Sequence, residues 1–256
     1  MLSDKIVLVT GVGGGIGTAI VKHLIPLSNH LISSSRSDVS SIFKNETIPS
    51  NYTHIPADLT DEKNVIDLFQ HISEEFGRLD VLINTIGGSL YAHTIEDYPL
   101  EEFMEVLNLN LTSAFLLTKH VIGIMKDNQS LGGNIIHFIS SSVRKISNKK
   151  APYGIAKAGL AKLVNYVASE VGKYDIRVNG ISPGYVFTPR HVKDVEKKME
   201  KTGKSEEEVT RSKMKLQQID RRLNSEDLLP LVELLSTTKV ITGQNYNCTV
   251  GEVLDY

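Results

Sequence analysis

The chain has 256 residues, 41% of them hydrophobic and 23% charged, with a formal net charge of −2. That length admits one large α/β domain or two small ones, with ample material for a core. The balanced charge supplies no field to draw nucleic acid or an anionic membrane, and no apolar run nears the ~20 residues of a bilayer span.

The single cysteine, Cys248, cannot close an internal disulfide. The opening Met-Leu-Ser-Asp-Lys runs straight into a strand pattern, so we expect a cytoplasmic protein without a signal peptide. Residues 5–10 form a short β-branched run, the pattern of a strand buried on both faces of a parallel sheet. Thr10-Gly11-Val12-Gly13-Gly14-Gly15-Ile16-Gly17 follows, then a helix to about Leu27. Glycines between a strand and a helix let the backbone approach a diphosphate, and the helix N-terminus adds N–H donors. A plain flexible turn is the alternative.

Residues 30–34 read as the second strand. A carboxylate just beyond its end would bond the ribose 2′-hydroxyl of NAD, whereas a basic group favours the 2′-phosphate of NADP. The tip is Ser35-Arg36, and the planar fork of Arg36 favours NADP, while Asp38 keeps NAD possible. A third strand, 52–56, ends at Ala57-Asp58-Leu59, and Thr60 or Asp61 can cap the helix that Gly77 stops. Residues 79–83 are a fourth strand running into Asn84-Thr85-Ile86-Gly87-Gly88. Ligands of open parallel sheets bind beyond the carboxyl ends of strands, so this turn should flank a cofactor.

From Pro99 to about Asn128 one long helical pattern runs, with Asn110 amid apolar residues. A buried asparagine needs partners for its amide, either backbone and water or the groups of a site. Residues 134–139 form the fifth strand, with Ser140 at its carboxyl end, and a helix over 152–172 follows. Tyr153 and Lys157 lie one turn apart on that helix, on one face. An ammonium beside a phenol in a poorly solvated cleft lowers the phenol's pKa and suits it to exchange a proton with a carbonyl or alcohol oxygen. With nine tyrosines present, such a pair can arise by accident, so its company matters.

A sixth strand, 176–179, leads into Pro183-Gly184-Tyr185-Val186-Phe187-Thr188. Residues 190–218 are rich in lysine and glutamate around Gly203; two short helices suit them, forming a substrate lid or a solvated excursion. A capped helix begins at Ser225, and residues 245–250 are the last strand. Strands alternate with helices throughout, which predicts a parallel sheet with helices on both faces, three α/β/α layers in one domain over 1–256.

These motifs together resemble the short-chain dehydrogenase/reductase family in its single-domain form. The family's Thr-Gly-x-x-x-Gly-x-Gly is met by Thr10, Gly11, Gly15 and Gly17, and its adenine-holding aspartate by Asp58. Its Asn-Asn-Ala-Gly turn appears in altered form at Asn84, Thr85, Ile86 and Gly87, with Ile86 bulkier than the usual alanine. Its catalytic tetrad falls on Asn110, Ser140, Tyr153 and Lys157, and its Asn-x-x-x-Pro-Gly motif with following threonine on Asn179, Pro183, Gly184 and Thr188. The tail Thr249-Val250-Gly251-Glu252 lacks the family's common Asp-Gly-Gly.

The resemblance implies a Rossmann-type doubly wound fold, no metal, and an NADP or NAD cofactor. Its contacts would come from Thr10, Gly11, Gly15, Ile16, Gly17, Ser35, Arg36, Asp58, Leu59, Asn84, Gly87, Tyr153, Lys157, Pro183, Gly184, Val186 and Thr188. It further implies reversible hydride transfer between nicotinamide and a carbonyl or secondary alcohol. Tyr153 would be the acid, Ser140 a donor to the same oxygen, Lys157 the holder of the ribose and Asn110 the anchor of a relay water. A 3-oxoacyl-thioester reductase is the expected activity, with a sugar or polyol dehydrogenase and a non-catalytic dinucleotide sensor as alternatives. Arg144, Lys145, Lys149 and Lys150 either attract an anionic substrate group or are simply solvated. The family implies a homo-oligomer, tetramer or dimer, joined through helices 99–128 and 152–172.

Overall fold

The computed structural model describes residues 1–38, 42–43, 46–127 and 132–254. The run Ile6–Thr10 forms strand β1, every residue of it buried, as a parallel strand covered on both faces requires. Strands β2 (His30–Ser35), β3 (Tyr52–Pro56), β4 (Val81–Asn84), β5 (Gly133–Phe138), β6 (Ile176–Pro183) and β7 (Asn245–Cys248) complete one sheet. Its order is β3-β2-β1-β4-β5-β6-β7 and every neighbouring pair is parallel. The helices are α1 (Gly15–Leu24), α2 (Glu62–Phe76), α3 (Leu100–Leu107), α4 (Ser113–Asp127), α5 (Ala151–Val171), α6 (Pro189–Thr202), α7 (Glu206–Met214) and α8 (Leu229–Thr237).

The pleat sends alternate side chains to opposite faces and so builds two cores. Leu8, Ile32, Leu82, Ile135 and Val178 pack with Leu68 and Ile72 of α2, Leu117 and Val121 of α4, and Leu160 and Val164 of α5. Val7, Val9, Leu31, Val81, Ile83, Ile136 and Ile181 pack with Ile20, Val21 and Leu24 of α1 and Val232 and Leu235 of α8. Each such side chain contributes about 1.5–3 kcal/mol of burial, which outweighs local propensity. Strand β2 makes the point: it ends in three serines, poor strand formers, yet Leu31 and Ile32 are fully buried and the flanking strands hold its backbone. Ser33 Oγ meets the Tyr52 hydroxyl at 2.6 Å and His54 Nδ1 at 2.8 Å.

The expected helix over 99–128 is broken. Between α3 and α4 the residues Asn108–Thr112 form a π turn, and Asn110 sits in it; Asn128 lies outside the described residues. A π turn inserts one residue per turn and re-aims the side chains that follow, which apolar periodicity alone does not reveal. Helix α1 stops at Leu24 and a 3-10 turn, Ile25–Leu27, replaces its expected end, since Pro26 has no N–H to continue the ladder. Strand β6 runs on to Pro183 instead of 179 because its second half pairs with β7. The expected capped segment begins at Ser225 as a 3-10 turn, Ser225–Leu228, with Asn224 as its cap, and leads into α8; β7 ends at Cys248, and Val250 turns away at φ 55°. Of the two residues offered as cap for α2, Asp61 is the one used, accepting from the Lys63 and Asn64 amides. Helices α6 and α7 fill 190–218 as two segments, with Gly203 left-handed at φ 67° between them.

Two consequences position a site. Strand β1 has β2 on one side and β4 on the other, so the chain departs in opposite directions from that point and leaves a crevice at the carboxyl ends. The turns after β1, β4, β5 and β6 all open into it.

Candidate active site

The turn after β1 begins with Gly11 at φ +82°, where a side chain would lie 2.8 Å from the Ile86 nitrogen and from Thr85. Gly17 is equally tight, its Cβ position 2.8 Å from the Gly11 oxygen. These two glycines let α1 pack against the β4 turn. Gly13 and Gly14 are looser, with nothing nearer than 3.5 Å. Gly14 caps α1 and offers no side-chain acceptor to the first-turn amides of Gly15, Ile16 and Gly17. A glycine turn with uncapped N–H groups at the topological switch point fits a dinucleotide diphosphate.

Gly87, after β4, brings the next pieces together. A Cβ there would lie 2.7 Å from Asn110 Oδ1 and 2.8 Å from Lys157 Nζ. The Asn110 amide clamps the same turn: Oδ1 accepts from the Gly88 amide at 3.0 Å, and Nδ2 donates to the Gly88 and Val106 oxygens at 2.9 Å. The π turn is what aims it there. With these bonds made, a relay water is left only the second lone pair of Oδ1.

Ser140 stands at the carboxyl end of β5, its Oγ 3.1 Å from Ser142 Oγ and in hydrogen-bond contact with the Tyr153 hydroxyl. Tyr153 lies in the first turn of α5, and Lys157 one turn on holds its Nζ 5.9 Å from the centre of that ring. Lys157 is 2% exposed and donates to the Phe138 oxygen at 2.8 Å. This lysine does not lower the phenol as the sequence leads one to expect. Burial pushes the Tyr153 pKa up; the Ser140 bond and the charge of Arg190 pull it back, and Lys157 adds no resolved effect. Burial also lowers Lys157 itself, to about 7, which weakens the charge it can bring to bear.

Tyr153, Ser140, Lys157, Gly87, Ile16, Pro183, Gly184 and Val186 line one cavity of about 340 Å³. Other expected cofactor residues do not reach it. Thr10 and Asn84 are buried and bond each other at 2.9 Å, and Asn84 Oδ1 also takes the Ile86 amide, so both shape the turn from below. Leu59 is a core residue. Asp58 accepts from the Thr60 amide and hydroxyl, bonds that with the Arg36 charge hold its carboxyl below the usual range. Ser35 and exposed Arg36 stand at the end of β2, and Thr188 Oγ1 lies 2.9 Å from His191 Nδ1.

Several groups of the site carry no motif in the sequence. His137 is fully buried in β5, and burial with the nearby Lys157 charge lowers it to about 3, so it is neutral. Asn84 Nδ2 donates to its Nδ1 at 3.3 Å; its Nε2–H therefore faces Thr118 Oγ1 at 3.0 Å, and that hydroxyl donates to the Ala114 oxygen. A polar residue inside an apolar strand was the available signal. Tyr185, Arg190, His191, Asp194, Lys213 and Glu252 also line the cavity, and no local pattern marks them.

Comparison with known proteins points to one family. The model of the short chain dehydrogenase family matches residues 5–199. The 7alpha-hydroxysteroid dehydrogenase of Bacteroides fragilis is 30% identical over 77% of this chain and 78% of its own. The D-beta-hydroxybutyrate dehydrogenase of Cupriavidus necator is 31% identical over 82% of each chain. A short-chain type dehydrogenase/reductase from Mycobacterium ulcerans superposes with a TM-score of 0.87 at 23% identity, over 98% of this chain and 90% of that one.

Proposed function

The chain belongs to the short-chain dehydrogenase family, and from that premise we propose that it interconverts a ketone and a secondary alcohol with NADP, Tyr153 acting as the proton donor and acceptor. The observation that carries the reading is the meeting of Tyr153 and Ser140, with Lys157 beside them, in a cleft at the carboxyl ends of the strands. The uncapped amides of Gly15, Ile16 and Gly17 would hold the cofactor diphosphate, Ser35 and Arg36 the 2′-phosphate, and Asp58 and Leu59 the adenine side. Gly87, Pro183, Gly184, Val186 and Thr188 would border the nicotinamide half. A nicotinamide bound there would supply the hydride exchanged with the carbonyl carbon.

The protein's own residues do the rest. Tyr153 gives its proton to the carbonyl oxygen in reduction and takes it back in oxidation, and Ser140 donates to the same oxygen as charge develops on it. Burial keeps the phenol protonated at neutral pH, the state a reductase needs. Lys157 would hold the ribose, and Asn110 holds the turn at Gly88. The relatives named above are dehydrogenases of a hydroxysteroid and of a hydroxybutyrate, which supports a secondary alcohol and its ketone as the substrate pair. A 3-oxoacyl compound, thioester or free acid, is our finer reading for the substrate, favoured over an uncharged polyol by the cationic lining of the cleft. Helices α6 and α7 would serve as the lid, and the protein would work in the cytoplasm. Among the described residues no helix is long and apolar enough to cross a membrane.

The test is a panel of carbonyls and alcohols assayed with NADPH and with NADH, following the reduced-nicotinamide absorbance. NADPH should be preferred, and Tyr153→Phe should lower turnover ~10²-fold or more while the fold and cofactor binding persist. A variant with near-normal turnover would refute the assignment; NADPH binding without oxidation across the panel would favour a sensor.

A further inference from the structure

The cleft that holds Ser140 and Tyr153 carries more positive charge than hydride transfer uses. Lys145 is neutralised by the Glu252 carboxylate, and Lys157 is committed to the Phe138 oxygen. Arg190, Lys213 and Lys150, the last donating to Ser89 Oγ at 3.2 Å, remain on the same lining, opposed by the one carboxylate of Asp194. They arrive from three elements: Lys150 from the N-cap of α5, Arg190 from the first turn of α6 and Lys213 from the last turn of α7.

Arg190 is near the reacting groups. Its Nη1 lies 3.6 Å from where a Cβ on Gly88 would be, and its charge is felt at the Tyr153 hydroxyl. Lys213 Nζ rests 5.0 Å over the Tyr185 ring. Burial and the charges of Lys198, Lys150 and Lys145 lower the Lys213 pKa, with Asp194 opposing. Lys213 is half-buried while Lys150 and Arg190 are exposed, and like charges brought to one cleft favour an anion among them. Beside them the Tyr185 hydroxyl is buried and makes no hydrogen bond among the described residues. An orphaned hydroxyl is a donor held ready, and a guanidinium fork with an ammonium suits an oxyanion.

We propose that the substrate of this cleft carries an anionic group, a carboxylate or a phosphate, a few bonds from its reacting carbonyl, and that Arg190 and Lys213 grasp it with Lys150 at the rim. The inference rests on the reading of the site as a ketone reductase and narrows its substrate class. The closeness of Arg190 to Tyr153 sets the short spacing: the charge belongs to the substrate's reactive end, not to the far end of a carrier arm. Since Arg190 and Lys213 ride on α6 and α7, the bound anion also ties those helices to the body of the sheet.

Matched substrate pairs test it with NADPH: acetoacetate against its methyl ester, and dihydroxyacetone phosphate against dihydroxyacetone, with the acetoacetyl thioester of N-acetylcysteamine as a neutral 3-oxoacyl compound. In the unaltered protein one anion should exceed its neutral partner in kcat/KM by about 10-fold or more. Which pair does so distinguishes carboxylate from phosphate. In the Arg190→Gln, Lys213→Gln double variant that ratio should fall towards one, mainly through KM. A ratio taken within one variant cancels any disturbance of Tyr153 or of stability. A ratio near one in the unaltered protein, an unchanged ratio in the double variant, or a preference for the thioester overturns the proposal. If neither pair is turned over, thermal unfolding in sodium phosphate and in sodium acetoacetate, against sodium chloride at equal ionic strength, separates the two readings. A stabilisation present in the unaltered protein and in Tyr153→Phe but lost in the double variant supports the anion subsite, while no stabilisation overturns it.

Discussion

Lys157 has an ordinary pKa of 10.5 and is held at about 7 by burial, with the Phe138 oxygen as its hydrogen-bond acceptor. The sign of the consequence follows from linkage. Below about pH 7 folding must bury a charge that the unfolded chain keeps in water, and the destabilisation is complete. As pH rises from about 7 to 10.5 the unfolded chain binds more protons than the folded one, and that destabilisation fades. In the protein free of cofactor, the stability of the unaltered chain should therefore rise relative to Lys157→Met as pH is raised across this window. Unfolding midpoints of both proteins at several pH values measure it, and a constant difference would show that Lys157 does not carry the shift. Gly87 is the second residue whose environment decides its identity. A methyl group there would press on Asn110 Oδ1 and Lys157 Nζ, both closer than 3.0 Å. Gly87→Ala should cost about 1–3 kcal/mol and lower turnover, since the clash falls on the two side chains that frame the cleft.

Caps and the π turn divide stability from activity at the level of elements. Asp61 caps α2 on the far side of the sheet's carboxyl end from Tyr153, and its loss as Asp61→Ala should cost about 1 kcal/mol of unfolding free energy with kinetic constants unchanged. Asn110→Ala removes three bonds and leaves the Gly88 and Val106 groups without partners, about 1–3 kcal/mol for the buried ones. Unlike the cap variant, it should also lower kcat, because Gly88 is then no longer clamped. Equal kinetic effects from the two would argue that the π turn is only a packing feature. Helices α6 and α7 are built from ordinary signals: Gly203 left-handed at the end of α6 and a reciprocal Ser205–Glu208 cap at the start of α7. Those signals fix two helices without saying what they cover.

The whole molecule leaves apolar side chains uncovered on α4 and α5. Phe115 is 48% exposed, Ile155 52% and Tyr166 62%. Ile155 and Tyr166 are about three helical turns apart and so share a face of α5. A second copy of this chain is the occupant we expect there, and Phe115→Lys with Tyr166→Lys should lower the mass measured by light scattering to that of one chain. An unchanged mass would remove that face from the assembly.

Local chemistry sufficed for much of this protein. The strand runs, the glycine turn, a cap at Thr60 or Asp61 and the one-turn spacing of Tyr153 and Lys157 are properties of adjacent residues, and backbone sterics and side-chain periodicity act at that range. Thr10 and Asn84 read the same way from sequence as Gly11 and Gly87, yet the fold uses the first pair as buried supports and the second as points of close approach. The π turn that aims Asn110 and the rise of the Tyr153 phenol depend on neighbours brought from distant segments. So does the gathering of Lys150, Arg190 and Lys213 around one cavity. Packing and desolvation are sums over everything that surrounds a group in space, and a linear chain does not list its neighbours.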